Sequence, residues 1–184
     1  MKVGIFGQQG SGKTFLGMVL ARMFQQDYPE IIIYTNVNCT GEGIKVISDF
    51  SDIPLERETP KILLIDEAMF TLDSRGSSSK QNVTFTKFFA LLRKLNFVLT
   101  IFATHRYGLL DVRVREQLDK VISCRRDLQE FQYLSIDVTT GEETYFCIPK
   151  TQDVFNFANY DTLDFPNPIS TIGLTTNPLF QNFK

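Results

Sequence analysis

A glycine-rich turn between a predicted strand and a predicted helix is the feature that most constrains how this chain can fold. The sequence begins MKVGIFGQQGSGKTFLGMVLA, and residues 2–6 have the apolar character of a short strand. Beyond the turn, apolar side chains recur at helical spacing from Lys13 to about Gln26, which predicts an amphipathic helix. A strand that enters a helix through such a turn predicts an α/β domain.

The turn has the composition and spacing of a phosphate-binding loop, because it matches the pattern G-x-x-x-x-G-K-[ST]. Its glycines let successive backbone N–H groups point at phosphate oxygens, and the helix N-terminus adds partial positive charge. Lys13 is predicted to reach the β- and γ-phosphates, and Thr14 to place its hydroxyl on Mg²⁺, which prefers oxygen ligands. We therefore expect ATP with Mg²⁺, and contacts to the nucleotide from Gly7, Gln8, Gln9, Gly10, Ser11, Gly12, Lys13, Thr14 and Phe15.

Strands and helices alternate along most of the chain, which predicts a three-layer α/β/α P-loop NTPase fold with a mostly parallel central sheet. A hairpin is predicted near the C-terminus, at 133–148, with Thr-Thr-Gly-Glu as its turn. The other predictions are strands at 30–37, 61–68, 97–105 and 121–124, helices at 43–50, 83–95 and 111–120, and a polar loop at 74–82.

The periodic pattern stops near residue 159. We predict a P-loop ATPase domain at 1–158 and an extended C-terminal tail at 159–184, which contains a proline-rich, non-periodic stretch. Such a tail can pack on its own domain, pack on a neighbour, or stay disordered.

Two carboxylates follow the apolar run ILLI, at Asp66 and Glu67. Asp66 is predicted to hold the hydration shell of Mg²⁺. Glu67 is predicted to orient and polarise a water for in-line attack on the γ-phosphate, although an acid at this place can also simply begin a helix. The pair favours hydrolysis over small-molecule kinase chemistry, since a kinase must exclude attacking water.

The chain's only histidine, His105, lies at the end of the strand predicted at 97–105. If that strand lies beside the one that leads into the phosphate loop, a polar side chain at its tip can touch both the γ-phosphate and the attacking water. We therefore predict a catalytic sensor role for His105; the alternative is an ordinary surface histidine.

Charge is unevenly distributed in a chain whose net charge is only -2. Residues 75–126 hold eleven Lys or Arg and three Asp or Glu, whereas the rest holds eight basic and eighteen acidic residues. The basic stretch indicates either a working face for a polyanion or an ordinary solvated surface.

Three scattered cysteines and no C-x-x-C pair indicate free thiols and a reducing compartment. We expect Cys124 and Cys147 to be buried, because both lie in apolar strand-like runs. No signal peptide or bilayer-spanning run is evident, so we expect no membrane partner and a cytoplasmic location, in a host cell or associated with a virion if the protein is viral.

Together these motifs resemble the additional-strand, catalytic-glutamate P-loop ATPases. The stretch LLIDEAMFTLDSRGSSSKQNVTFTKFFALLRKLNFVLTIFATHR more narrowly resembles the FtsK/HerA superfamily, in particular the small genome-packaging ATPases of archaeal and tailless icosahedral viruses. Zot-like phage assembly ATPases are close relatives. One departure is His105, where the family often has Gln; it implies pH sensitivity.

The resemblance implies an ATP-hydrolysing motor that moves double-stranded DNA without sequence preference. It implies a homo-oligomeric ring, usually a hexamer, with a capsid or portal protein as a further partner. A ring also needs an arginine supplied in trans, for which Arg75 and Arg93 are the candidates and Arg115 the third. Lys80 and Lys87 are the candidate pore contacts to DNA phosphates.

Three other functions remain open at this stage. A Zot-like ATPase would drive phage assembly or extrusion. A nucleotide or small-metabolite kinase would suit a chain of 184 residues. A non-catalytic nucleotide-dependent switch would bind ATP without turnover.

Overall fold

One sheet of eight strands organises the part of the chain that the computed structural model describes, which is residues 1–68, 80–162 and 165–177. The strands are β1 (Lys2–Phe6), β2 (Ile32–Thr35), β3 (Ile44–Val46), β4 (Lys61–Ile65), β5 (Phe97–Thr104), β6 (Lys120–Arg126), β7 (Glu130–Asp137) and β8 (Glu143–Pro149). The α-helices among these residues are α1 (Lys13–Asp27), α2 (Lys80–Leu91), α3 (Val112–Arg115), α4 (Gln152–Ala158) and α5 (Ile172–Thr176).

The strand order across the sheet is β3-β2-β4-β5-β1-β6-β7-β8. The six strands from β3 to β6 are parallel, and β7 and β8 add an antiparallel hairpin at one edge. Strand β5 lies between β1, which leads into the phosphate loop, and β4, which leads into Asp66. This arrangement confirms the predicted P-loop NTPase fold, its additional strand and its C-terminal hairpin.

Alternate side chains of β4 pack against helices on the two faces of the sheet, which gives the α/β/α layers. All five of its residues are buried. Ile62 and Leu64 pack in the apolar cluster that includes residues of α1 and α4, whereas Leu63 and Ile65 pack in the cluster that includes residues of α2, α3 and α5. A strand covered on both faces is mostly apolar, as residues 62–65 of β4 show; the strand's first residue, Lys61, is a buried exception.

The sequence prediction was wrong for residues 43–50, where a helix was expected. The segment forms the edge strand β3, followed by a short 3₁₀ turn at Phe50–Asp52. Gly43 has a left-handed backbone (φ 69°), and its carbonyl accepts a hydrogen bond from Ile33 N–H, which aligns the segment with β2. Pairing with a neighbouring strand therefore overrides the local helical pattern.

The helix predicted at 111–120 is shorter than expected. Only Val112–Arg115 is α-helical, after the Asp111 side chain accepts a hydrogen bond from Arg113 N–H. Asp119 N–H donates to the carbonyl of Lys2 and so begins the approach to β6. In the loop predicted at 74–82, residues 74–79 lie outside the described part, and 80–82 already belong to α2.

Two further sequence predictions concern surface and membrane. Cys147 is exposed, contrary to expectation, because it lies on the edge strand β8, whereas Cys124 is buried on β6 and Cys39 is half-buried. No helix among the described residues has the length and apolar character needed to cross a bilayer.

The described part of the tail packs on its own domain. Ser170 N–H donates to the carbonyl of Ser48, and Phe50 N–H donates to the carbonyl of Ser170. Ile169 and Leu174 are buried in the cluster that contains α2. The tail is not extended throughout, because residues 172–176 form α5.

Candidate active site

The phosphate loop lies between the end of β1 and the start of α1. Gly10 and Gly12 have φ of 73° and 86°, a left-handed backbone that other residues adopt only with strain. A Cβ at Gly12 would lie 2.6 Å from the ring of Phe131. The loop therefore needs glycine at Gly12 both for its backbone conformation and for the close approach of β7.

Two side chains of the loop point into the structure. Lys13 is only 5% exposed, and its Nζ donates to the carbonyl of Gln8 at 3.2 Å. Ser11 Oγ is buried and has no hydrogen-bond partner among the described residues. A buried hydroxyl without a partner costs free energy, so the loop is better satisfied when an anion accepts from it. Phe15 differs, since its ring packs between Phe131 and Phe155 in the core.

The loop opens into a cleft of about 550 Å³, a volume typical of small-molecule sites. Its polar lining residues include Lys13, Thr14, Asp66 and Glu67. The left-handed glycines, the buried cation and the unsatisfied hydroxyl of Ser11 are the features that a phosphate group fits. Of the predicted nucleotide-binding residues, Gln9, Gly10, Gly12, Lys13, Thr14 and Phe15 line this cleft.

Thr14 and Asp66 form the candidate Mg²⁺ site. Thr14 Oγ1 donates to Asp66 Oδ2 at 2.5 Å, so two oxygen ligands lie side by side at the mouth of the loop. Burial raises the pKa of Asp66 above its ordinary value, and the hydrogen bond from Thr14 opposes this shift. No group of three or more His, Cys, Asp or Glu suited to a metal exists among the described residues. The residues fit Mg²⁺, which is commonly held by one or two protein oxygens together with substrate phosphates.

Glu67 lies beside this pair in a strained conformation. Its φ is 49°, which is uncommon for a residue other than glycine and is often found at functional sites. Oε1 lies 3.3 Å from Nε2 of His105, and Oε2 is buried with no partner among the described residues. Burial and then the charge of Asp66 raise the pKa of Glu67, against the influence of His105 and Lys13. A carboxylate with a higher pKa is a stronger base for water.

The strand order brings His105 to Glu67. The residue before it, Thr104, is paired with Phe6 at the end of β1, so the tip of β5 lies next to the start of the phosphate loop. The side chain of His105 contacts the proposed base directly. Thr104 Oγ1 is also buried without a partner among the described residues, a second unsatisfied hydroxyl at this edge of the sheet.

Asn36 is a site residue that sequence reasoning missed. It lies just beyond β2 and is 3% exposed. Its amide donates to the carbonyl of Asp66 at 2.9 Å and to the carbonyl of Asn167 at 3.0 Å, and its Oδ1 accepts from Asp66 N–H at 2.8 Å. Asn36 therefore holds the peptide of Asp66 at two points. The available signal was a polar residue directly after an apolar strand next to β4.

Arg126 is a second residue that was missed. It is exposed at the end of β6, and its Nη1 lies 3.4 Å from the position of a Cβ added to Gly10. A guanidinium this close to the loop adds positive charge where phosphate would bind. The signal was the Arg125-Arg126 pair that ends a strand neighbouring β1.

Among the described residues, the predicted arginines Arg93 and Arg115 do not reach this site within one chain. Arg93 is exposed in the 3₁₀ turn that precedes β5. It therefore lies at the amino ends of the parallel strands, whereas the phosphate loop lies at their carboxyl ends. Arg115 lies over the ring of Tyr107, 5.2 Å from its centroid. Lys87 is half-buried within α2, Lys80 begins that helix, and Arg75 lies outside the described residues.

Solved structures with similar folds include viral, toxin and helicase proteins. The N-terminal domain of zonular occludens toxin from Neisseria meningitidis has TM-score 0.59 and 17% identity, covering 87% of this chain and 98% of that one. The genome packaging NTPase B204 from Sulfolobus turreted icosahedral virus 2, in complex with sulfate, has TM-score 0.63 and 16% identity, covering 81% and 96%. A DnaB-like replicative helicase has TM-score 0.59 and 10% identity, covering 88% and 57%.

These similarities confirm the predicted resemblance to packaging and Zot-like ATPases at the level of the fold. Comparison with curated proteins gives no match. At the level of sequence, the ATPase family associated with various cellular activities (AAA) matches residues 3–126. Because this match spans more than half of the chain and includes the phosphate loop, Asp66 and Glu67, the chain belongs to the AAA family of ATPases.

Proposed function

We propose that this ATPase is a motor that translocates double-stranded DNA, as in packaging a viral genome into a capsid. One observation carries the chemical part of the proposal. Glu67, with one buried oxygen free of partners among the described residues, lies next to the phosphate loop and in contact with His105. This is the place from which a carboxylate can accept a proton from a water that attacks the γ-phosphate.

Each residue has a role that follows from its position. Lys13 and the loop N–H groups bind the β- and γ-phosphates, and Thr14 and Asp66 hold Mg²⁺. When bound, Mg²⁺ neutralises charge on the phosphate oxygens. Glu67 accepts the proton of the attacking water. Before ATP binds, His105 holds Glu67 through Oε1. Once ATP is present, His105 would donate to the γ-phosphate instead, which leaves Oε1 free for the attacking water.

The DNA part of the proposal has two supports. Arg106, Arg125 and Arg126 are exposed within the basic stretch 75–126, so the described part of the chain presents positive charge to solvent. Proteins of similar fold include a genome packaging NTPase and a DnaB-like replicative helicase. Lys80 and Lys87 remain our candidates for contact with DNA phosphates. A capsid or portal protein would be the packaging partner, in the host cytoplasm or in the virion.

A ring would complete the site. Arg93 is exposed and lies at the amino ends of the parallel strands, away from its own phosphate loop, so any contact with a nucleotide would be with that of a neighbouring subunit. We propose Arg93 or Arg75 as the arginine supplied in trans in a hexamer. An Arg93→Ala variant and a Lys13→Ala variant would each be inactive alone and would recover activity when mixed, because a hybrid interface contains one intact loop and one intact arginine.

The test of the proposed function is ATPase activity with and without double-stranded DNA, together with a mass measurement of the assembly. We expect turnover that depends on Lys13, increases with DNA of any sequence, and loses DNA dependence steeply as salt rises because of counterion release. ATPase activity that is indifferent to DNA at low salt would contradict the translocase.

A Zot-like assembly or extrusion ATPase is the second candidate. The similarity to the N-terminal domain of zonular occludens toxin, which this chain covers almost completely, favours it. This candidate predicts ATP turnover by the same residues without stimulation by double-stranded DNA. The DNA experiment therefore separates the two functions.

A further inference from the structure

Asn167, an asparagine between two prolines, joins the C-terminal segment (residues 165–177) to the residues that follow β2. Since proline has no backbone N–H, Asn167 carries the one backbone donor of the triplet Pro166, Asn167 and Pro168. This N–H donates to the carbonyl of Asn36 at 2.8 Å, and Asn167 Nδ2 donates to Asn38 Oδ1 at 2.7 Å. Both the backbone and the side chain of Asn167 therefore hold the segment in place.

The side chain of Asn36 bonds back to Asn167 and onward to Asp66. Its Nδ2 donates to the carbonyl of Asn167 at 3.0 Å and to the carbonyl of Asp66 at 2.9 Å, and its Oδ1 accepts from Asp66 N–H at 2.8 Å. A side-chain amide has two N–H donors, and here each of them has an acceptor. A half-turn of the amide would place its oxygen against two carbonyls, so the flipped orientation is unfavourable.

Burial makes the acceptor that Asn167 supplies important. Asn36 is 3% exposed and Asp66 is 5% exposed, so little water reaches the bonds between them. A buried donor that loses its acceptor costs free energy, because water does not replace the lost bond. The carbonyl of Asn167 therefore stabilises the one orientation of the Asn36 amide that holds the backbone of Asp66.

The two prolines lower the entropy that this contact costs. Pro166 has a fixed φ, and Pro168 disfavours the helical conformation of Asn167, the residue before it. The unfolded segment therefore has fewer conformations to lose when it packs. Beyond the prolines the segment is held again, since Ser170 N–H donates to the carbonyl of Ser48.

We propose that Asn167 is a positioning residue for ATP hydrolysis, which acts through Asn36 to hold the backbone of Asp66, the candidate Mg²⁺ ligand. This proposal deepens the proposed function and rests on its Mg²⁺-dependent hydrolysis, not on DNA translocation. Asn167 lies outside residues 3–126, which match the AAA family, so the chain's own C-terminal segment contributes to the site. Partners that orient a metal ligand change affinity or activity about 10- to 100-fold, and we expect less from a residue one contact further away.

Amide hydrogen exchange of the chain without nucleotide or metal tests this contact directly. Asn167→Ala removes the bond to Asn38 and loosens the backbone groups that bond to Asn36, so the Asp66 amide should exchange about three- to tenfold faster. The amides of residues 62–65 should keep their rates, because β2 and β5 hold them. Asn156→Ala, on the exposed surface of α4, is the matched control and should change neither set.

Two exchange results would overturn the proposal. One is an unchanged rate for the Asp66 amide in Asn167→Ala. The other is faster exchange throughout β4, which indicates a general loss of stability instead of a local contact.

Pro168→Gly tests the same contact without removing a hydrogen-bonding group. Pro168 is exposed, and glycine lifts the restriction on the backbone of Asn167. We expect the Asp66 amide to exchange about two- to fivefold faster in this variant. If Asn167→Ala does not fold, Pro168→Gly decides alone, and an unchanged rate for the Asp66 amide would overturn the proposal.

The Mg²⁺ dependence of turnover completes the test. Asn167→Ala should raise the Mg²⁺ concentration that gives half-maximal turnover about three- to tenfold, and saturating Mg²⁺ should restore turnover. In an Asn36→Ala background the same substitution should have no further effect, because its route to Asp66 is gone; additive effects would overturn the proposal. Failure of the proposed function is distinguishable, because the unsubstituted chain would then show no Mg²⁺-dependent ATP turnover at all.

Discussion

Buried charged groups lie at both ends of β4, but only those at its amino end have all their hydrogen bonds satisfied. At the first residue, Lys61 is fully buried, yet its Nζ donates to the carbonyls of Glu56 at 2.7 Å and Thr59 at 3.0 Å. It also forms an ion pair with Glu56 Oε1 at 2.6 Å. The hydrogen bond from Lys61 lowers the pKa of Glu56 to about 2.

Just past the last residue of β4, burial of the charged groups is not fully offset by hydrogen bonds. Asp66 and Glu67 both have raised pKa values because burial disfavours their charged forms. Glu67 Oε2 has no partner among the described residues, and its backbone is left-handed. At the two ends of β4, therefore, a buried charge with all its hydrogen bonds made marks a structural position, and a buried charge with an unpaired atom marks the candidate catalytic position.

The largest expected effect comes from the unsatisfied end. Glu67→Gln keeps the shape of the side chain but removes the base, so turnover should fall about 10²-fold or more while ATP binding is retained. Steady-state turnover and equilibrium nucleotide binding would be measured in parallel. Glu143→Gln, at an exposed glutamate on β8, is the matched control. Near-normal turnover in Glu67→Gln would show that a different group activates the water.

A smaller loss of turnover is expected at Asn36, which positions Asp66 but does not take part in the chemistry. Asn36→Ala removes both hydrogen bonds to the Asp66 peptide. We expect turnover and the apparent affinity for Mg²⁺ each to fall about 10- to 100-fold, as for other residues that orient a metal ligand. The Mg²⁺ concentration that gives half-maximal turnover is the measurement. Asn156→Ala, on the exposed surface of α4, should change neither. An unaltered Mg²⁺ requirement in Asn36→Ala would remove Asn36 from the site.

At Lys61, substitution should lower stability and leave turnover unchanged. Lys61→Met leaves buried carbonyls without their donor, so the free energy of unfolding should fall by about 1–3 kcal/mol while turnover per folded molecule is unchanged. Urea unfolding provides the measurement, with Lys94→Met at an exposed lysine as the control. Loss of turnover without loss of stability would break the comparison between the two ends.

The smallest expected effect is a gain in stability. Because the pKa of Glu67 is raised in the folded state, its carboxyl favours folding while protonated, and this contribution is lost as pH rises through the raised pKa. Glu67→Gln should therefore be more stable than the unsubstituted chain near about pH 8, and the difference should shrink toward about pH 5. Thermal unfolding across this range is the measurement. A difference independent of pH would mean that ionisation of Glu67 is not its source.

Much of the site could be predicted from local sequence. The loop from Gly7 to Thr14 is recognisable because left-handed glycines, a lysine and a hydroxyl must occur at fixed spacing for a backbone to surround phosphate. Asp66 and Glu67 follow an apolar run that only a strand buried on both faces requires. These features are local, and the alternation of strands and helices around them indicates the parallel sheet.

Other features depend on which segments meet in space. Residues 44–46 form β3 because they pair with β2, and no periodicity within the segment 43–50 specifies that pairing. Sequence reasoning placed His105 at a strand tip, but its contact with Glu67 requires β5 to lie between β1 and β4. Asn36 was missed because its role exists only through the peptide of Asp66.

The sequence by itself therefore determined the phosphate loop, the two carboxylates and the class of fold, because each is written in consecutive residues with a fixed chemical purpose. Only the tertiary structure decided what surrounds them: the partner of Glu67, the hydrogen bonds that Asn36 makes to the Asp66 peptide, and the packing of the C-terminal segment on its own domain. These contacts join residues far apart in the chain. Their distances are set by strand order and side-chain packing, which no local pattern encodes.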